Sequence, residues 1–156
     1  MPDLVTHLAA AYFLKVPRGW ARFRVPFYLG AILPDVLTRS VVILYPPSDR
    51  AVYSVHTPVV SVVLCLLAAQ FFEKKIRPGV RVNLLLGITL HFGLDFLQRH
   101  VISTYYWFFP LSFKTFELGL FWPEDSLKLV PLWLVLIAVV ETAIHIKKRV
   151  QKRHIG

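Results

Sequence analysis

Apolar residues run through this chain in long stretches, broken by short clusters of positive charge. Ala51 to Phe72 holds 22 residues without a formal charge, rich in Val and Leu. A helix of that length crosses the ~30 Å hydrocarbon core of a bilayer. Leu129 to Ile146 forms a second such stretch, interrupted by Glu141 and His145. Val82 to Gln98 is a third, with His91 and Asp95 in its middle, and Val25 to Tyr45 a fourth, containing Pro34, Asp35 and Arg39. Leu4 to Leu14 is apolar over only 11 residues and predicts a half-helix or re-entrant segment. The pattern predicts an all-α fold: a polytopic helical membrane protein of about four transmembrane helices plus a short N-terminal half-helix. Residues 1–156 form a single membrane-embedded domain ending in a basic tail over residues 147–156.

Composition agrees. Of 156 residues, 56% are hydrophobic and 17% charged, below the roughly 25% charged of soluble domains. The 12 Phe, 6 Tyr and 4 Trp exclude a disordered chain. Cys65 is the single cysteine, so a disulfide framework and a thiolate metal cluster are both excluded.

The net charge of +9 changes the picture through its placement. Lys15, Arg18, Arg22 and Arg24 fill the first link, Lys74, Lys75, Arg77 and Arg81 another, and Lys147, Lys148, Arg149, Lys152 and Arg153 the tail. These segments are separated by pairs of spans, so all three fall on one side, which the positive-inside rule makes cytoplasmic. A multi-pass protein of the cell (inner) membrane is expected, with basic loops and C-terminus in the cytoplasm. A juxtamembrane basic cluster meets anionic lipid, so membrane lipid rather than nucleic acid is the expected partner. The other long link, Ser103 to Ser126, interleaves nine aromatic residues with Pro110, Pro123, Glu117, Glu124 and Asp125. It reads as an aromatic belt at the headgroup level, or as a lid over a lipid headgroup.

Ionisable groups inside apolar spans cost about 2.5–3.5 kcal/mol each on insertion scales, and mark functional sites by default. The chain carries Asp3, His7, Asp35, His56, His91 and Asp95 in or beside its apolar segments. Asp3 and His7 are four residues apart, as are His91 and Asp95, so each pair shares a helix face. Counting ~1.5 Å per residue from the proposed cytoplasmic ends puts His7, Asp35, His91 and Asp95 in one layer near the bilayer middle, with His56 in reach. Six candidate His and carboxylate ligands suit one or two divalent ions, zinc first, with manganese or iron as the other metals such ligands accept. Two structural readings stand beside this one. Asp35 after Pro34 is also a favoured helix cap, and His56-Thr57-Pro58 also reads as a helix start.

Thr6-His7, the run Gly30 to Leu33-Pro34-Asp35, His56-Thr57 and His91-x-x-x-Asp95 resemble the YdjM-like family, small membrane-bound proteins described as LexA-regulated, metal-dependent hydrolases. The resemblance covers most of residues 1–125, and Phe116 to Ser126 resembles its archaeal-type members. This chain has Val55 before His56 where the bacterial pattern has Thr. The family is distantly similar to zinc-dependent phospholipase C, so the resemblance implies an all-α fold and phosphoester hydrolysis. The expected function is a membrane-bound hydrolase in which Asp3, His7, Asp35, His56, His91 and Asp95 hold the metal. Asp35 or Asp95 would serve as general base toward a metal-activated water, and the substrate would be phospholipid-like. The competing expectation is a non-enzymatic membrane protein whose buried His/Asp network is structural or an ion path.

Overall fold

The computed structural model describes residues 4–14, 22–44, 56–99 and 106–155, with backbone alone over 152–155. Every named element is helical: α1 (Leu4–Phe13), α2 (Arg24–Leu44), α3 (Pro58–Ala68), α4 (Arg77–Leu97) and α5 (Pro123–Ile155). α2, α4 and α5 are long and apolar enough to cross a membrane. The 21 residues of α2 and of α4 each reach ~31 Å, matching a bilayer core.

The span expected over Ala51–Phe72 is shorter than its apolar run. Thr57 is extended (φ −131°, ψ 149°), its side-chain oxygen accepts the Val60 N–H at 3.4 Å, and Pro58 occupies the first helical position. Proline lacks an N–H and resists any helix continuing through it from upstream, so α3 begins there. It closes in a 3₁₀ turn (Ala69–Phe71), giving a helical segment below spanning length. The Arg77 guanidinium donates to the carbonyls of Gln70 and Phe72 at 3.0–3.2 Å, satisfying oxygens at that end.

The centre of the molecule is the α2–α4 interface. Buried residues of α2 recur as Phe27, Gly30/Ala31, Pro34/Asp35 and Thr38; those of α4 as Val80, Asn83/Leu84, Gly87/Ile88, His91/Phe92 and Asp95. Both series follow the i, i+3/i+4, i+7 rhythm of one helix face. Small residues let the backbones meet: a Cβ on Gly30 would collide with the Leu84 carbonyl, and one on Gly87 with the backbone of Phe27 and Ala31. Asp35, His91 and Asp95 continue the same two faces, so the packing that joins the helices also brings their polar ends together.

Residues 118–121 run alongside the C-terminal end of α4, with Phe121 bridged in parallel to Gln98. The N–H groups of Leu118 and Leu120 donate to the carbonyls of Phe96 and Leu97 at 2.9 and 2.7 Å. Those carbonyls have no partner within the helix, so this segment caps α4. Trp107 packs edge-on to Phe92 and Phe96, stacks on Phe116, and donates its indole N–H to the Phe116 carbonyl at 2.7 Å. α5 then leaves the bundle. It touches α1, through the Tyr12 hydroxyl donating to Glu141 at 2.5 Å and Phe13 packing on Trp133, while its apolar stretch is otherwise unburied. Glu141 thus pairs with α1.

Candidate metal centre

The structure brings His7, Asp35, His56, His91 and Asp95 together from four parts of the chain, each 0% exposed. Asp3 lies outside the described residues. Asp35 stands in the interior of α2, which rules out the capping role its proline neighbour suggested. His56 sits just before the Thr57 cap, so the helix-start reading also holds and is what aims the imidazole. His91 and Asp95 share one face of α4, and His7 enters from α1 with its ring edge-on to His91 at 4.1 Å.

Hydrogen bonds fix the tautomers of two imidazoles. His91 Nδ1 lies 2.8 Å from the Ala31 carbonyl. A carbonyl only accepts, so Nδ1 carries the proton and donates. The Thr38 hydroxyl donates its one proton to the Pro34 carbonyl at 2.7 Å, and therefore accepts from His56 Nδ1 at 3.1 Å. A neutral ring at either position then points its Nε2 lone pair inward. His91 Nε2 is 3.4 Å from His56 Nε2 and 3.3 Å from Asp95 Oδ2. His56 Nε2 is 2.7 Å from the same Asp95 oxygen. Asp35 Oδ1 lies 3.9 Å from His56 Nδ1 and 4.0 Å from His91 Nε2, while Asp95 Oδ1 lies 3.6 Å from His7 Nε2.

Such an arrangement repels itself unless something positive fills it. Among the described residues, both oxygens of Asp35 and Oδ1 of Asp95 accept no hydrogen bond although fully buried. A buried carboxylate without partner is strongly disfavoured. Two triads place one ligand atom each within 4.8 Å of the others: His7, His91, Asp95, and Asp35, His56, His91. Tetrahedral ligands about 2.0 Å from zinc stand ~3.3 Å apart. The His91–Asp95 and His91–His56 separations of 3.3 and 3.4 Å match that spacing. These buried groups are close enough to hold a metal ion.

Thr38 has a place here that the sequence reading missed, because a threonine inside an apolar helix carries no motif. Its signal is positional: it stands three residues after Asp35 on the same buried face. Gln98 is a second such residue, fully buried three positions beyond Asp95, with neither amide atom hydrogen-bonded among the described residues. Arg99 is exposed with its guanidinium over the Trp122 ring at 5.1 Å. Asp125 accepts the Trp122 N–H at 3.1 Å and pairs with Lys128 at 3.0 Å at the start of α5.

No protein-family model, curated protein or solved structure matches this chain.

Proposed function

We propose that this chain is a membrane-bound, metal-dependent hydrolase of phosphoesters, of the kind its resemblance to the YdjM-like family implies. The observation that carries the reading is the convergence of two imidazole Nε2 atoms on a buried oxygen of Asp95, with Asp35 Oδ1 4.0 Å from one of them. His56, His91, Asp95 and Asp35 would hold the principal ion. His91 spends Nδ1 on Ala31 and offers only Nε2, so it serves one ion; a second would rest on His7 and Asp95 Oδ1, with Asp95 shared between them. Zinc suits nitrogen and carboxylate ligands without thiolate.

A divalent ion bound here supplies Lewis acidity toward a phosphoryl oxygen and lowers the pKa of a coordinated water. The chain's own contribution is orientation and charge. Ala31 and Thr38 hold the two imidazoles ligand-side inward, and Asp35, holding the ion through one oxygen, would keep the other to accept a proton as general base. Burial excludes bulk water and strengthens each of these interactions. Orientation follows from charge. His91 lies 14 residues beyond Arg77, ~21 Å along α4, so the cluster occupies the half of the bundle away from Lys74, Lys75 and Arg77. With those residues cytoplasmic under the positive-inside rule, the site belongs to the outer half of the cell membrane.

A second reading rests on the 2.7 Å separation of His56 and Asp95, the length of a charge-assisted hydrogen bond. A protonated His56 would make the cluster a packing network without metal, but the Asp35 oxygens and the His91 lone pair would still face one another. Metal analysis of detergent-purified protein separates the two. The wild type is expected to carry stoichiometric divalent metal and to hydrolyse at least one member of a phosphoester panel, with His91→Ala and Asp35→Ala losing both. Equal trace metal in all three proteins would overturn the reading.

A further inference from the structure

We infer that the apolar groove beside the cluster seats a hydrocarbon chain of a membrane phospholipid, which makes the substrate of the proposed hydrolase a lipid phosphoester. The inference rests on that functional reading for the word substrate, while chain binding stands on the groove itself.

The groove has a volume of about 500 Å³, within the range of sites that bury a small ligand. Val59 and Val62 of α3, Ile88, Phe92 and Phe96 of α4, and Trp107 of the aromatic segment form its walls. The one hydroxyl in the lining, Thr89, donates to the Leu85 carbonyl of its own helix at 2.9 Å. Nothing in the groove therefore orients a polar ligand, and burying a polar group there without a partner is unfavourable. Around it the surface stays apolar and exposed at Val63, Leu86 and Phe108, so in a bilayer the opening faces acyl chains. The occupant that fits is the lipid tail already present at high concentration.

What distinguishes this groove from an ordinary lipid-facing surface is its far wall. The Phe92 ring lies 5.1 Å from the ring of His91 and 5.4 Å from that of His56, centroid to centroid. Pro58, two residues after His56, also lines the groove. A chain lying in it packs one ring away from the buried imidazoles of the cluster. That is the geometry by which remote binding energy positions a reacting group.

Gly93 allows a direct test. It lines the groove, and a Cβ there meets nothing within 4 Å, so Gly93→Trp places an indole in the groove without pressing on the helix backbone. Purified protein in nanodiscs would be irradiated with a phosphatidic acid bearing a diazirine on one acyl chain, and the labelled peptides mapped. The expected labelling of residues 88–96 exceeds that of the unburied α5 stretch 132–139, is competed by unlabelled phosphatidic acid, and falls about tenfold in Gly93→Trp while bound metal is retained. Asp95→Asn is expected to abolish hydrolysis and keep the labelling. Groove-confined labelling in a protein that hydrolyses no phosphoester would sink the hydrolase reading and leave chain binding standing. Labelling spread evenly over α4 and α5 and unchanged in Gly93→Trp would overturn the inference. So would a dimer that Gly93→Trp dissociates, because a second copy would then fill the groove.

Discussion

At His56 the direction of one hydroxyl proton decides which nitrogen faces the cluster. The Pro34 carbonyl takes the Thr38 proton, Thr38 Oγ1 takes the His56 Nδ1 proton, and Nε2 is left as a base 2.7 Å from Asp95. Removing the hydroxyl removes that instruction. Thr38→Val should weaken zinc affinity about 10–100-fold, the usual cost of losing a residue that orients a ligand. Thr38→Ser should recover most of it, and competition with a chromogenic chelator reads both. The residues of the cluster were legible: a histidine or aspartate in an apolar span announces itself by its desolvation cost, and the four-residue spacing of His91 and Asp95 announces a shared face. Thr38 was not legible, because a hydroxyl can bond its own helix anywhere. Only the nearness of His56, eighteen residues away, gives that bond a purpose.

Between elements, the close approach of α2 and α4 governs everything near the cluster. Gly87→Leu would drive its Cβ into the backbone of Phe27 and Ala31, forcing the helices apart. Overpacking of this kind costs about 1–3 kcal/mol or more. Thermal unfolding in detergent should register that loss together with reduced metal content, since His91 and Asp35 separate with their helices. Gly93→Ala, six residues further along α4, enters open space and should be neutral or slightly stabilising, by up to ~1 kcal/mol from helix propensity. The contrast tests whether position, rather than glycine as such, carries the effect. Hydropathy marked these helices well where polar and apolar residues alternate with charge clusters. It overran at Ala51–Phe72, where apolar residues continue upstream of the Thr57–Pro58 helix start; a hydropathy window registers transfer preference and is blind to a cap.

Across the whole molecule the cluster acts as a staple. It joins α1, α2, α4 and the start of α3, while α5 is held by α1 alone among these helices. A ligand that binds only the folded state stabilises it by mass action, about 2.7 kcal/mol at a free concentration one hundred times its dissociation constant. Chelation of the purified protein should therefore lower its unfolding temperature, and zinc should restore it. His7→Ala should shrink that difference, since α1 then loses its tie to the cluster. An unfolding temperature indifferent to chelator would mean that protein contacts alone hold these helices. By itself the amino-acid order determined the helical character, the membrane setting and the roster of titratable groups, because each follows from local periodicity and from the cost of placing charge in an apolar segment. Which faces meet, which nitrogen points inward, and that an aromatic segment caps α4 beside a groove were decided by tertiary structure alone. Those properties depend on backbone approach and hydrogen bonds between residues 18 to 60 positions apart, and no local pattern encodes them.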